Sequence, residues 1–84
     1  MPYSEEYIRS KLIKHLQASH VEVEDQSDGC GAKFAVLIVS AKFEGKPLLQ
    51  RHRLVNAALE EELKDIHAFS QKTLTPDQWK KQQS

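Results

Sequence analysis

At 84 residues, with 39% hydrophobic and 29% charged side chains, the sequence describes a single folded domain rather than a disordered chain, at a size where the buried fraction of surface is modest. Its formal net charge of zero argues against a dedicated nucleic-acid binder, which draws affinity from a basic surface. One cysteine excludes an internal disulfide and suits a reducing compartment, and no apolar run approaches the roughly 20 residues of a membrane span. The opening MPYSEEYIRS has neither an apolar signal core nor an Arg-rich, acid-poor character, so the expected location is cytoplasmic, with passive access to the nucleus.

Ser4 can cap a helix whose first turn carries Glu5 and Glu6, acidic charges at the positive end of the dipole. Ile8, Leu12, Ile13 and Leu16 then recur at helical spacing and predict an amphipathic helix from about Ser4 to Gln17. Val21 and Val23 alternate with Glu22 and Glu24, the pattern of a strand with one wet face. DQSDGCGAK reads as a loop, and KFAVLIVS, apolar on both faces, as a central strand covered on both sides or nearly so. An antiparallel hairpin with the loop at its tip is the simplest arrangement of the two strands.

Gly45 and Pro47 interrupt the pattern before helical spacing returns from about Leu48 to Leu63, through Leu48, Val55, Leu59 and Leu63. IHAFSQKTL predicts a third strand of about seven residues. One of its faces holds Ile66, Ala68, Ser70, Lys72 and Leu74, the other His67, Phe69, Gln71 and Thr73, and the pattern leaves open which is inward. Thr75-Pro76-Asp77-Gln78 is a helix start with a Thr cap, proline at the first position and Gln reaching back. A short final helix carries Trp79, and the polar tail, residues 80–84, is expected to fray. The expected fold class is α+β, a small sandwich over residues 1–84 in the order helix, strand, strand, helix, strand, helix. Its helices should lie on a single face of the sheet.

Cys30 sits between Gly29 and Gly31, where packing is weakest and a large group or partner could approach closely. Local chemistry leaves it an accessible thiol, open to an unremarkable loop role or to metal ligation. A nucleophilic role is weaker, because it needs a base and an orienting group in a shaped pocket. A histidine in a strand is more often a hydrogen-bonded structural residue or an exposed one than a metal ligand, and His67 by itself reads that way first. His52, within RHR, is expected to face solvent or cap local backbone, and it is the alternative ligand. His15 and His20 flank the end of the first helix and carry no assigned role. Lys42, Lys46, Arg51 and Arg53 form a local basic stretch that reads as a solvated helix start, as a partner-docking surface or as a nucleic-acid contact. Glu60, Glu61 and Glu62 read as a solvated face.

The run FEGKPLLQRHRLVNAAL, continuing through IHAFSQKTLTPDQW, closely resembles the BolA family, most of all its short cytosolic eukaryotic type. Together with VEVED and the GCG loop, the resemblance covers essentially the whole chain. It implies a fold similar to a type II KH domain. It also implies a non-enzymatic role as partner of monothiol glutaredoxins of the CGFS kind, with a [2Fe–2S] cluster bridging the two proteins. In that family the final-strand histidine, here His67, is a ligand, and the hairpin loop supplies the second, here Cys30. The glutaredoxin cysteine and a glutathione thiol complete the set. Lys46, Arg51 and Arg53 then become candidates for contact with the partner or with glutathione carboxylates. Cys30 and His67 make half of a cluster's ligands, so the rest must come from outside, and no set of four zinc ligands is present. Bacterial members are associated with transcriptional regulation, which leaves a KH-like nucleic-acid-binding module as the alternative. KH domains clamp nucleotides with a GXXG loop, and none occurs here.

Overall fold

The computed structural model describes residues 3–27 and 31–83. Helix α1 (Glu5–Leu16) starts where Ser4 caps it, the Ser4 hydroxyl accepting from the Tyr7 N–H, and it ends at Gln17 in the left-handed region. It buries Ile8, Leu12 and Leu16, the residues that helical spacing places on one face. Strands β1 (His20–Asp25) and β2 (Lys33–Val39) follow as the expected antiparallel hairpin, with Val21 opposite Ile38 and Val23 opposite Val36. A 3-10 turn (Ala41–Phe43) then leads to α2 (Leu48–Ala58) and the short α3 (Glu60–Leu63). Strand β3 (Ala68–Leu74) and helix α4 (Pro76–Gln83) complete the chain.

The predicted helix over 48–63 is therefore bent. Leu59 leaves the helical region at φ −113° and ψ 22°, while the bonds Leu59 N–H to Val55 O and Leu63 N–H to Leu59 O carry the path across the joint. The last turn is thereby laid on α1. Glu62, expected on a solvated face, is buried there, because Lys11 and Tyr7 of α1 bond its carboxylate.

The sheet order is β1-β2-β3, and β3 runs parallel to β2, with Lys33 opposite Ala68 and Val39 opposite Leu74. Two parallel neighbours need a crossover, which α2 and α3 supply. The register settles which face of β3 is inward. Phe69, Gln71 and Thr73 stand beside Phe34, Val36 and Ile38, whose side chains join Ile8, Leu12, Phe43, Val55 and Leu59 in the core. The helices do not all share one face, as the sequence suggested. Alternation puts His20 opposite in facing to Val21, and the Trp79 ring of α4 stacks on His20 at 4.6 Å. Helix α4 thus covers the far face at one end, where Val39 and Leu74 are buried.

The Thr75 cap forms as a reciprocal box: Gln78 N–H donates to the Thr75 hydroxyl at 3.2 Å and Thr75 N–H to the Gln78 carbonyl oxygen at 2.9 Å. Helix α4 runs on through residues 80–83. Lys80 and Lys81 in its last turn suit the negative end of the helix dipole. Ser84 lies outside the described residues.

Candidate metal centre

The hairpin is stapled just below its loop. Gln26 N–H donates to the Lys33 carbonyl at 2.8 Å, Lys33 N–H to the Ser27 hydroxyl at 2.9 Å, and Ser27 N–H to an Asp25 carboxylate oxygen at 2.9 Å. Hydrogen bonds from Ser27, side chain first and then backbone, hold the Asp25 carboxyl below its ordinary range. Asp28, Gly29 and Cys30 lie outside the described residues.

Past the loop, Gly31 takes φ +132°, a backbone conformation open to glycine. A Cβ placed on it would stand 3.1 Å from the Cβ of His67 and 3.6 Å from its Cγ. The backbone at Gly31 therefore passes close to His67, leaving no room for a side chain there. The next residue tightens the contact, since the Ala32 carbonyl accepts from the N–H groups of both His67, at 2.8 Å, and Ala68, at 3.2 Å. Parallel pairing of β2 with β3 is what brings the start of the third strand to the loop end of the hairpin. His67 itself is exposed, and its ring makes no hydrogen bond to any described residue. An exposed imidazole with no hydrogen bond to a described residue, close to Gly31, has the chemistry to accept a metal ligand role. Among the described residues, no three His, Cys, Asp or Glu side chains gather as a metal site.

His52 sits elsewhere. Its neighbour Arg51 reaches the Thr73 carbonyl at 3.5 Å, and Asn56 of the same helix accepts from Gln71 at 3.1 Å. The start of α2 is thus at the far end of β3 from His67, six residues and roughly 20 Å along the strand. The basic stretch divides in the same way. Arg51 is engaged within the chain: its guanidinium donates to the Lys46 carbonyl at 2.9 Å, to Thr73 O, and to the Gln78 side chain at 3.1 Å. Arg53 and Lys42 are exposed and Lys46 is half-buried, beside the exposed Leu48 and Leu49.

On the other flank of His67, α1 and Tyr3 just ahead of it grip the preceding segment. The Tyr3 hydroxyl donates to Asp65 at 2.8 Å and the Tyr7 hydroxyl to Glu62 at 2.6 Å. Lys11 Nζ reaches both Glu62 oxygens, at 2.7 and 2.6 Å. The hydrogen bond to Asp65, foremost among several causes, pushes Tyr3 up to about 12, and Tyr7 is raised by its bond to Glu62 in the same way. Burial drives the Glu62 carboxyl up, but the bonds from Lys11 and Tyr7 outweigh it and leave the group below its ordinary range. Sequence reasoning missed these residues. The signal was present as a polar stripe, Tyr3, Tyr7 and Lys11 at four-residue spacing, alongside the apolar stripe of Ile8 and Leu12.

A mixed three-stranded sheet with a crossover helix, and an exposed histidine held at the hairpin loop, defines a small α+β module built around one loop end. The chain belongs to the BolA-like protein family, whose pattern matches residues 12–78. It is 69% identical over 80 residues to human BolA-like protein 2, covering 94% of this chain and 93% of that one. Against BolA-like protein 2 of Saccharomyces cerevisiae it is 44% identical over 82 residues, 96% of this chain and 68% of that one. A bol-like protein from Babesia bovis has a crystal structure that superposes with a TM-score of 0.92 at 43% identity, covering 100% of this chain and 98% of the other.

Proposed function

We propose that the protein is a non-enzymatic adaptor that binds a monothiol glutaredoxin of the CGFS kind in the cytoplasm and nucleus. In this reading Cys30 and His67 supply half of the ligands of a [2Fe–2S] cluster, and the glutaredoxin cysteine and glutathione supply the rest. The consequence is cluster trafficking or iron-status regulation. The observation that carries it is the close approach of Gly31, one peptide bond from Cys30, to His67, where an added Cβ would stand 3.1 Å from the His67 Cβ. That approach, together with the double hydrogen bond to Ala32, supports the reading, because it holds His67 close to the residue that follows Cys30 in the chain. Mixed Cys/His ligation would raise the reduction potential above that of an all-thiolate cluster. It would also make assembly depend on pH, because the imidazole must be neutral to bind.

The test is co-expression with a CGFS glutaredoxin, followed by visible absorption and circular dichroism of the purified complex. Cys30→Ala and His67→Ala should each alter the cluster bands or abolish them, while His52→Ala should leave them as they are. A cluster spectrum that survives unchanged in both Cys30→Ala and His67→Ala sinks the ligand assignment. Salt-dependent binding of the isolated chain to a DNA or RNA pool, lost on replacing Lys46 or Arg53, would favour the nucleic-acid module instead.

A further inference from the structure

The segment that delivers His67 to the loop is short and weakly paired. Between α3 and β3 its backbone bonds are Asp65 N–H to Glu62 O at 3.0 Å and Ile66 N–H to Leu63 O at 3.4 Å, before His67 reaches Ala32. Leu63 and Ile66 pack against the core, and polar anchors from α1 and from Tyr3 just ahead of it add to that support. Tyr3 holds Asp65, and Tyr7 and Lys11 hold Glu62. The two tyrosine rings stack at 5.4 Å with 24° between their planes, so they brace one another. Helix α1 is in turn anchored by Ile8 and Leu12, both fully buried. A continuous path of contacts therefore runs from the core through α1 and two carboxylates to the backbone two residues before the imidazole.

We propose that Tyr3 and Tyr7, with Lys11, are positioning residues for His67: their bonds to Asp65 and Glu62 fix where the imidazole stands against the hairpin loop. This inference rests on the reading of His67 as a cluster ligand. The phenol hydroxyls are the informative atoms. Packing and stacking need only the rings, which phenylalanine would supply equally, whereas a directional bond to each carboxylate needs the O–H. Asp65 and Glu62 lie three residues apart on one turn, so two anchors restrain both the translation and the rotation of the segment.

The experiment compares the wild type with the double variant Tyr3→Phe/Tyr7→Phe, which keeps both rings. In the isolated chain, amide hydrogen exchange at Ile66, His67 and Ala68 should quicken by about tenfold, while exchange in β2 stays as it was. The His67 ring signals in nuclear magnetic resonance spectra should shift or broaden. In the heterocomplex, the visible circular dichroism bands should change and cluster loss to a chelator should accelerate several-fold. Asp65→Asn, which retains an acceptor for Tyr3, should stay near wild type where Asp65→Ala does not. Unchanged exchange and ring signals in the double variant would overturn the proposal. So would quickened exchange with an unaltered cluster in a complex whose bands His67→Ala does change. If His67→Ala itself leaves the cluster untouched, the ligand reading fails, whatever the exchange data say.

Discussion

At Gly31 two restraints coincide: φ of +132°, where side chains are rarely found, and 3.1 Å between an added Cβ and the Cβ of His67. The Gly31→Ala variant should lose about 1–2 kcal/mol of stability by backbone strain alone, read as a lower urea midpoint. Its His67 ring signals should move, because the new methyl has to push the histidine or the loop aside. A second residue shows where a polar group is poorly served. The Thr73 hydroxyl is buried on the inward face of β3 with no hydrogen-bond partner among the described residues. Thr73→Val keeps the shape and removes the orphan, so it should raise stability by about 1 kcal/mol, measured as a higher urea midpoint. Pattern reading listed Thr73 among the alternating residues of the strand, but the facing depended on register against β2, a long-range pairing that no local window contains.

Among the elements, α1, β1, β2, the third strand and the Thr75-capped helix were legible, because each carries its own periodicity or cap. The bend at Leu59 and the burial of Glu62 were not. A run of three glutamates reads as solvent-facing until Lys11 and Tyr7 arrive from 51 and 55 residues away. That contact has a pH consequence. The folded-state pKa of Glu62 lies below its ordinary 4.5. Its stabilising contribution is therefore complete above 4.5 and is lost as pH falls through the lower folded value. Between about pH 5 and pH 3 the urea midpoint of the wild type should fall more steeply than that of Glu62→Gln, which keeps an acceptor for Tyr7 but has no charge to titrate. Equal slopes would show that the buried pair does not contribute to acid sensitivity.

For the whole molecule, both edges of the sheet are blunted by side chains: Glu5 accepts the Asp25 N–H at 2.7 Å beside β1, and Arg51 donates to Thr73 O beside β3. Arg51 therefore behaves as part of the fold, while Lys46 and Arg53 remain available to a partner. Lys46→Glu with Arg53→Glu should weaken glutaredoxin binding several-fold, more so at low salt, with the melting temperature unchanged. Arg51→Met should instead lower the melting temperature. A partner that touches both the start of α2 and His67 must span roughly 20 Å, which a standard interface of about 800 Å² per side can do. The motifs name the residues of the proposed site, but the adjacency of Gly31 and His67 depends on the parallel pairing of β3 with β2. The central claim is that His67 ligates a cluster shared between two proteins. Its most direct test is pulsed electron paramagnetic resonance on the reduced heterocomplex, with this chain alone carrying 15N-histidine. The account predicts a 15N hyperfine coupling that disappears in His67→Ala; no such coupling, or one that persists in that variant, would contradict it.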